Sequence, residues 1–225
     1  MDMPALERAK AHPARAPAMP VQVHVVDDDA SIRTALVRLL GSEGYEVRAF
    51  DSAQAFLVQF DPQARGCVLL DVAMPVLDGP AVQERLIERG SAMPVIFLTG
   101  RADVETSVRV MKRGAFDLLV KPVDECELFA AIEHALERDE ALSRDRAARA
   151  ETESCLSTLT VREHQVLTHV IDGRLNKQIA ALLGTAEKTV KVHRGRVMEK
   201  MRVRSVAELV RLLERSRPRT PDPGA

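Results

Sequence analysis

Five short apolar runs, each followed by a stretch of helical periodicity, leave residues 21–137 few architectures to choose from. The runs are VQVHVV (21–26), YEVRAF (45–50), CVLLD (67–71), MPVIFLT (93–99) and FDLLV (116–120). After the first run, Ile32, Ala35, Leu36, Leu39 and Leu40 share one helical face. SAQAFLVQF (52–60), PAVQERLIER (80–89) and DVETSVRVMKRG (103–114) separate the others, and Asp124 with Glu127 supplies the N-cap and N3 acid of a long closing helix. Strands that read as nearly unbroken apolar runs are buried on both faces. The alternation therefore predicts a doubly wound, mostly parallel five-stranded sheet of the α/β class. His24, inside the first run, is expected to be a satisfied structural histidine rather than a ligand.

The closing helix carries an apolar stripe of Leu128, Ile132, Ala135, Leu136 and Leu142 that fades into the charged run RDEALSRDRAARAETE. Residues 138–155 read as a helical linker with a solvated face. A short coiled coil is the alternative, but the stripe stops short of about three heptads. Residues 156–216 then read as a compact all-α bundle of four short helices. Thr160 with Glu163 and Ser205 with Glu208 make capping boxes, Asn176 and Thr185 are expected to cap the two helices between, and Gly173 and Gly184 stop helices. Residues 1–20 and 217–225 are expected to be disordered tails.

Charge divides along the same lines. The chain totals 32 Lys+Arg against 33 Asp+Glu, but residues 20–129 carry 11 basic and 17 acidic side chains, whereas residues 156–225 carry 14 and 7. An acidic body joined to a basic end points to a nucleic-acid-binding portion. No apolar run approaches the ~20 residues needed to cross a bilayer, and residues 1–20 lack the apolar core of a secretory signal. A cytoplasmic chain with no membrane partner is expected. Cys67, Cys126 and Cys155 are too widely spaced for a disulfide framework or a zinc site, and nothing near Cys155 forms a dithiol motif.

Chemistry-bearing residues collect where the apolar runs end. Asp27, Asp28 and Asp29 follow the first run, Asp71 ends the third, Thr99 ends the fourth, and Lys121 follows the fifth. In a doubly wound sheet those ends line one crevice. Carboxylates converging there repel one another unless a cation joins them, and hard oxygen ligands suit Mg2+. A metal-neutralised Asp can attack a phosphoryl group in line, with the Thr99 hydroxyl and the Lys121 charge available to the phosphoryl oxygens. Taken singly, each residue has a plainer role: Asp29 or Ser31 as a helix cap, Thr99 as a strand residue, Lys121 as a solvated lysine.

In LNKQIAALLGTAEKTVKVHRGRVMEKM (175–201), a short helix, a glycine-containing turn and a second helix fit helix-turn-helix geometry. Val190, Val197 and Met201 repeat at helical spacing and face inward. Lys188, Thr189, Lys191, Val192, Arg194 and Arg196 are left for the base edges and phosphates of a major groove. A core helix with a merely solvated basic face is the alternative. Gly195 costs that helix ~1 kcal/mol relative to Ala but permits a closer backbone approach.

VVDDD (25–29), LLDVAMPVLDG (69–79), FLTG (97–100) and GAFDLLVKP (114–122) resemble the receiver domain of two-component response regulators. LTVREHQVL together with the 175–201 segment resembles the LuxR-type output domain, and residues 21–215 as a whole are similar to response regulators of the FixJ/NarL type, nearest to the FixJ kind. The resemblance implies a flavodoxin-like receiver at 21–137, in which Asp71 accepts phosphate from a sensor histidine kinase. It implies that Asp27, Asp28, Asp71 and the backbone carbonyl of Ala73 hold Mg2+, that Thr99 and Lys121 bind and report the phosphoryl group, and that the Lys121-Pro122 bond is cis. Leu118 stands where the family usually has an aromatic switch residue, so another apolar repacking would carry the signal. For residues 156–216 it implies base or phosphate contacts from Lys188, Thr189, Lys191, Val192 and Arg194, and phosphate contacts from Asn176 and Lys177. The implied function is phosphorylation-driven homodimerisation and binding to double-stranded promoter DNA, with RNA polymerase as a further partner. A phosphatase of the haloacid dehalogenase type also uses a strand-end Asp. It needs a second Asp two positions later, where Ala73 stands, so no catalytic residue and no enzyme is expected.

Overall fold

Strands form along the apolar runs: β1 (Gln22–Val26), β2 (Glu46–Phe50), β3 (Gly66–Asp71), β4 (Val95–Thr99) and β5 (Asp117–Val120). The computed structural model describes residues 21–100 and 104–216, of which 104–107 by backbone only. The expected tails and Asp103 lie outside the described residues. All neighbouring strands are parallel, in the order β2-β1-β3-β4-β5, so the chain reverses direction across the sheet between β1 and β3. Register brings the strand ends level: Val26 lies opposite Phe50 and Leu70, Asp71 opposite Leu98, and Thr99 opposite Val120. That alignment is what gathers the residues following each strand at one edge.

Helices α1 (Ala30–Ser42), α2 (Ala53–Gln59), α3 (Gly79–Glu88), α4 (Val104–Lys112) and α5 (Glu125–Ser157) connect and follow the strands. The sheet is apolar on both sides because alternate residues serve two cores. Val68 and Leu70 join Phe50, Phe56 and Phe97 on one face, while Cys67 and Leu69 join Leu40, Ile96 and Ile132 on the other. Asp29, not Ser31, caps α1: its carboxylate accepts from the amides of Ser31 (2.7 Å) and Ile32 (3.3 Å), and those bonds lower its pKa. Asp124 caps α5 in the same way, accepting from Cys126 and Glu127. Among the described residues, no helix is long and apolar enough to cross a membrane.

His24 departs from the expectation of a satisfied histidine. It is 3% exposed, sits between the rings of Phe50 and Phe56, and neither ring nitrogen has a hydrogen-bond partner. The strand's alternation turns it to the same side as Val26, a side lined by phenylalanine and aliphatic groups. Burial, helped by the charge of Arg48, pushes its pKa down to about 4, so the imidazole is neutral.

The chain divides into two compact units, 1–142 and 143–225, with α5 helical through the charged linker between them. The second unit adds α6 (Val161–Ile171), α7 (Asn176–Leu183), α8 (Glu187–Lys200) and α9 (Val206–Ser216). They bury one cluster containing Val166, Ile179, Val190, Val197, Met201 and Leu209. The Thr160 and Glu163 box closes reciprocally at the start of α6. Glu163, almost fully buried, also receives the Lys200 ammonium at 2.7 Å, and that bond with the Thr160 amide holds its carboxyl at about 2. The Ser205 box is skewed: Ser205 accepts from the Glu208 amide, but the Glu208 carboxylate reaches the amide of Arg204.

Two expected caps are corrected. Asn176 is the first helical residue of α7; the cap is Leu175, whose amide donates to Gln178 Oε1 at 2.8 Å. Thr185 lies one residue before Ala186, the cap of α8, which makes no side-chain capping bond. The Thr185 amide instead closes the preceding turn onto the Ala180 carbonyl, across Gly184 at φ 62°.

Candidate functional site

The acidic pocket is built from the carboxyl ends of β1, β3, β4 and β5. Asp27 is 1% exposed and Asp71 6% exposed, and Lys121 binds both: its ammonium lies 2.6 Å from Asp27 Oδ2 and 2.5 Å from Asp71 Oδ1. The second oxygen of each carboxylate is also held. Asp27 Oδ1 accepts from the Asp29 amide at 2.9 Å, and Asp71 Oδ2 accepts from the Ala73 amide at 2.8 Å. Burial by itself would lower the Lys121 pKa, but the hydrogen bonds and charges of Asp27 and Asp71 outweigh it and raise it. The Lys121 amide donates to the Thr99 carbonyl at 2.7 Å, and the Lys121-Pro122 bond is cis. Thr99 is buried at the same edge.

Of the residues expected to surround a cation, the structure brings Asp27 and Asp71 together, while Asp28 lies exposed. Among the described residues, no three acidic, histidine or cysteine side chains form a cluster able to hold a metal ion. The two buried carboxylates are bridged by the Lys121 ammonium. The donors are nonetheless hard oxygens, and the two carboxylates that share the one Lys121 ammonium leave an excess of negative charge. Leu118 is half-buried and packs against the core that holds Phe97. Ala73 contributes its amide to Asp71, a contact that spacing alone did not suggest.

Two further residues were not evident from the sequence. Arg33, on α1, donates to the Asp27 carbonyl at 2.8 Å. Gly79 lies so close to the Asp71 backbone that a Cβ there would meet the Asp71 carbonyl at 2.5 Å and Phe97 at 2.9 Å. The glycine in LLDVAMPVLDG is the signal that could have found the second; a lone arginine on a helix gives none.

In the second unit, α7 and α8 form the two helices of the expected helix-turn-helix. Lys177, Lys188, Thr189, Lys191 and Arg196 are exposed, as is Val192 at 48%. Val190, Val197 and Met201 point into the core. Arg194 is half-buried, and its guanidinium donates to Asn176 Oδ1 at 3.1 Å, tying α8 to the start of α7. These two residues therefore brace one another, while the remaining side chains form an outward basic surface with an apolar patch at Val192.

Comparison with known proteins follows the same division. Residues 23–133 match the family described as response regulator receiver domain, and residues 157–213 match the one described as bacterial regulatory proteins, luxR family. Over 193 residues the chain is 44% identical to the tetrathionate response regulatory protein TtrR of Salmonella typhimurium, covering 86% of this chain and 92% of that one. It is 43% identical over 190 residues to the transcriptional regulatory protein FixJ of Azorhizobium caulinodans, covering 84% and 90%. A solved structure of the response regulator StyR matches with a TM-score of 0.79 at 45% identity, covering 87% of this chain and 98% of that chain.

Proposed function

The chain belongs to the two-component response regulators that join a receiver domain to a LuxR-type DNA-binding domain, and on that premise we propose that Asp71 is its phosphoacceptor. The observation that carries this is the Lys121 ammonium shared between the buried Asp27 and Asp71 at the sheet's carboxyl edge. An Asp71 oxygen attacks the phosphorus of a phosphohistidine on a sensor kinase and forms an aspartyl phosphate. Lys121 is close enough to follow the new phosphoryl oxygens, and Thr99, level with Val120 at the end of β4, adds a hydroxyl. Asp27, Asp28, Asp71 and the Ala73 carbonyl would hold Mg2+, which supplies charge neutralisation for the incoming phosphoryl group. Ala73 carries no proton donor, so the acyl phosphate turns over slowly and the protein acts as a switch rather than an enzyme.

The readout is DNA binding by α8, in a cytoplasmic protein. Val108, Met111 and Val120 are exposed apolar side chains on α4 and β5. They would be covered when two phosphorylated receivers pair and place two output domains on promoter half-sites, where RNA polymerase is the further partner. The test treats the full chain with phosphoramidate and Mg2+ and follows phosphorylation on a phosphate-affinity gel and mass by sedimentation. Wild type should label and dimerise, and Asp71→Asn should do neither. Labelling of Asp71→Asn at the wild-type level would overturn the assignment. Duplex binding should weaken with salt, and charge reversal at Lys188 and Lys191 should flatten that slope.

A further inference from the structure

Two non-glycine residues among those described have positive φ, Val76 and Arg202, and Val76 is the β-branched one. It sits at φ 69° at the apex of a γ-turn closed by the Leu77 amide on the Pro75 carbonyl at 2.8 Å. A branched Cβ makes this conformation costly, and glycine would relieve it. The loop's shape does not depend on valine. Met74 is buried in the core, Leu77 packs against it, and the Gly79 amide returns to the Val72 carbonyl at 3.0 Å. These anchors push residue 76 outward whatever its identity. The side chain gains no burial in exchange, being 93% exposed. The chain thus holds a strained apolar group exposed, a cost that nothing among the described residues offsets.

Its position suggests what does. Val76 and Pro75 line a cleft with Asp28 and Arg33, and Arg33 joins that cleft to the acidic site by donating to the carbonyl of Asp27, which shares Lys121 with Asp71. A protein that delivers a phosphoryl group must bring its phosphorylated imidazole to within bonding distance of an Asp71 oxygen. Its surface then has to cover this rim. We propose that Val76 is a docking knob, inserting into an apolar depression on the phosphohistidine-bearing domain of the sensor kinase and setting partner choice. This rests on Asp71 as the phosphoacceptor, but Val76 takes no part in the transfer. In that step an Asp71 oxygen bonds phosphorus, the phosphorus–nitrogen bond breaks, and the imidazole nitrogen keeps the electron pair.

The experiment compares wild type, Val76→Gly and Val76→Leu as full chains with two donors. One is phosphoramidate, which has the phosphorus–nitrogen bond but no protein surface. The other is the purified autophosphorylated histidine kinase, chosen from a panel, that transfers fastest to wild type. With phosphoramidate all three should label Asp71 at equal rates, and Val76→Gly should melt about 3 °C higher than wild type. With the kinase, Val76→Gly should slow about tenfold at low concentration, whereas Val76→Leu retains transfer. Wild-type transfer from the kinase to Val76→Gly would overturn the proposal, as would equal slowing with both donors, which would mean that the loop shapes the pocket. If phosphoramidate labels no variant at Asp71, the phosphoacceptor assignment itself falls and takes this inference with it.

Discussion

Acidification should selectively destabilise the first unit through His24. The imidazole has an ordinary pKa of 6.5 but is held near 4 in the folded chain, between Phe50 and Phe56 with both nitrogens unpartnered. Because the folded pKa is depressed, the unfolded chain binds the proton more readily. The stability due to burying a neutral ring is whole above pH 6.5, declines as pH falls towards 4, and changes no further below that. Between about pH 7.5 and about pH 5 this linkage amounts to about 2 kcal/mol, a large share of a domain's net stability. Replacing His24 by Leu removes the titration, and because the replaced ring atoms had no partners, it should leave stability near neutral pH equal or higher. The sequence provides a selective probe: it has no Trp and one Tyr, Tyr45, stacked on Phe129 in the first unit. Urea unfolding followed by Tyr45 fluorescence at the two pH values should show wild type losing about 2 kcal/mol more than His24→Leu. Equal losses in the two proteins, or a folded-state imidazole titrating near its ordinary value by NMR, would refute the reasoning.

Three other outcomes follow from the geometry. Glu163→Gln should destabilise the second unit by about 2 kcal/mol in thermal melts, because it weakens both the Lys200 contact and the α6 cap. Since the Glu163 pKa is lowered from 4.5 to about 2, its contribution is present above pH 4.5 and lost as pH falls through 2; the variant should lack that acid-side decline. Gly79→Ala should cost at least about 3 kcal/mol and slow phosphorylation by phosphoramidate, because the new methyl collides with the Asp71 carbonyl; a well-folded, fully reactive variant would contradict the close approach. Gly195→Ala should stabilise the second unit by about 1 kcal/mol, since the added Cβ meets nothing within 4 Å, and duplex affinity measured by fluorescence anisotropy should fall if the α8 backbone rides close to DNA.

Much of the acidic site was legible because it is written in strand ends. A residue that terminates an apolar run in a parallel sheet has its location decided by topology, so Asp27, Asp71, Thr99 and Lys121 could be grouped without coordinates. What the amides of Asp29 and Ala73 do, and that Arg33 braces the Asp27 carbonyl, depend on loop geometry that spacing does not encode. The basic surface was legible from α8 periodicity, because Val190, Val197 and Met201 fix which side faces inward. Arg194 was not, since its pairing with Asn176 spans two helices whose crossing is set by packing. The caps at Asn176 and Thr185 were misplaced for a related reason: a side chain suited to capping competes with backbone turns that tertiary contacts select.

The sequence alone determined the alternation of strand and helix, the separation of an acidic from a basic portion, and the chemical groups at each strand end. These are one-dimensional properties, carried by hydrophobic period, charge and spacing. Only the tertiary structure decided that Lys121 bridges two buried carboxylates, that His24 is buried without partners, and that Val76 is held strained and exposed. Those outcomes depend on which distant groups packing brings within a few ångströms, and no local pattern in the chain records that distance.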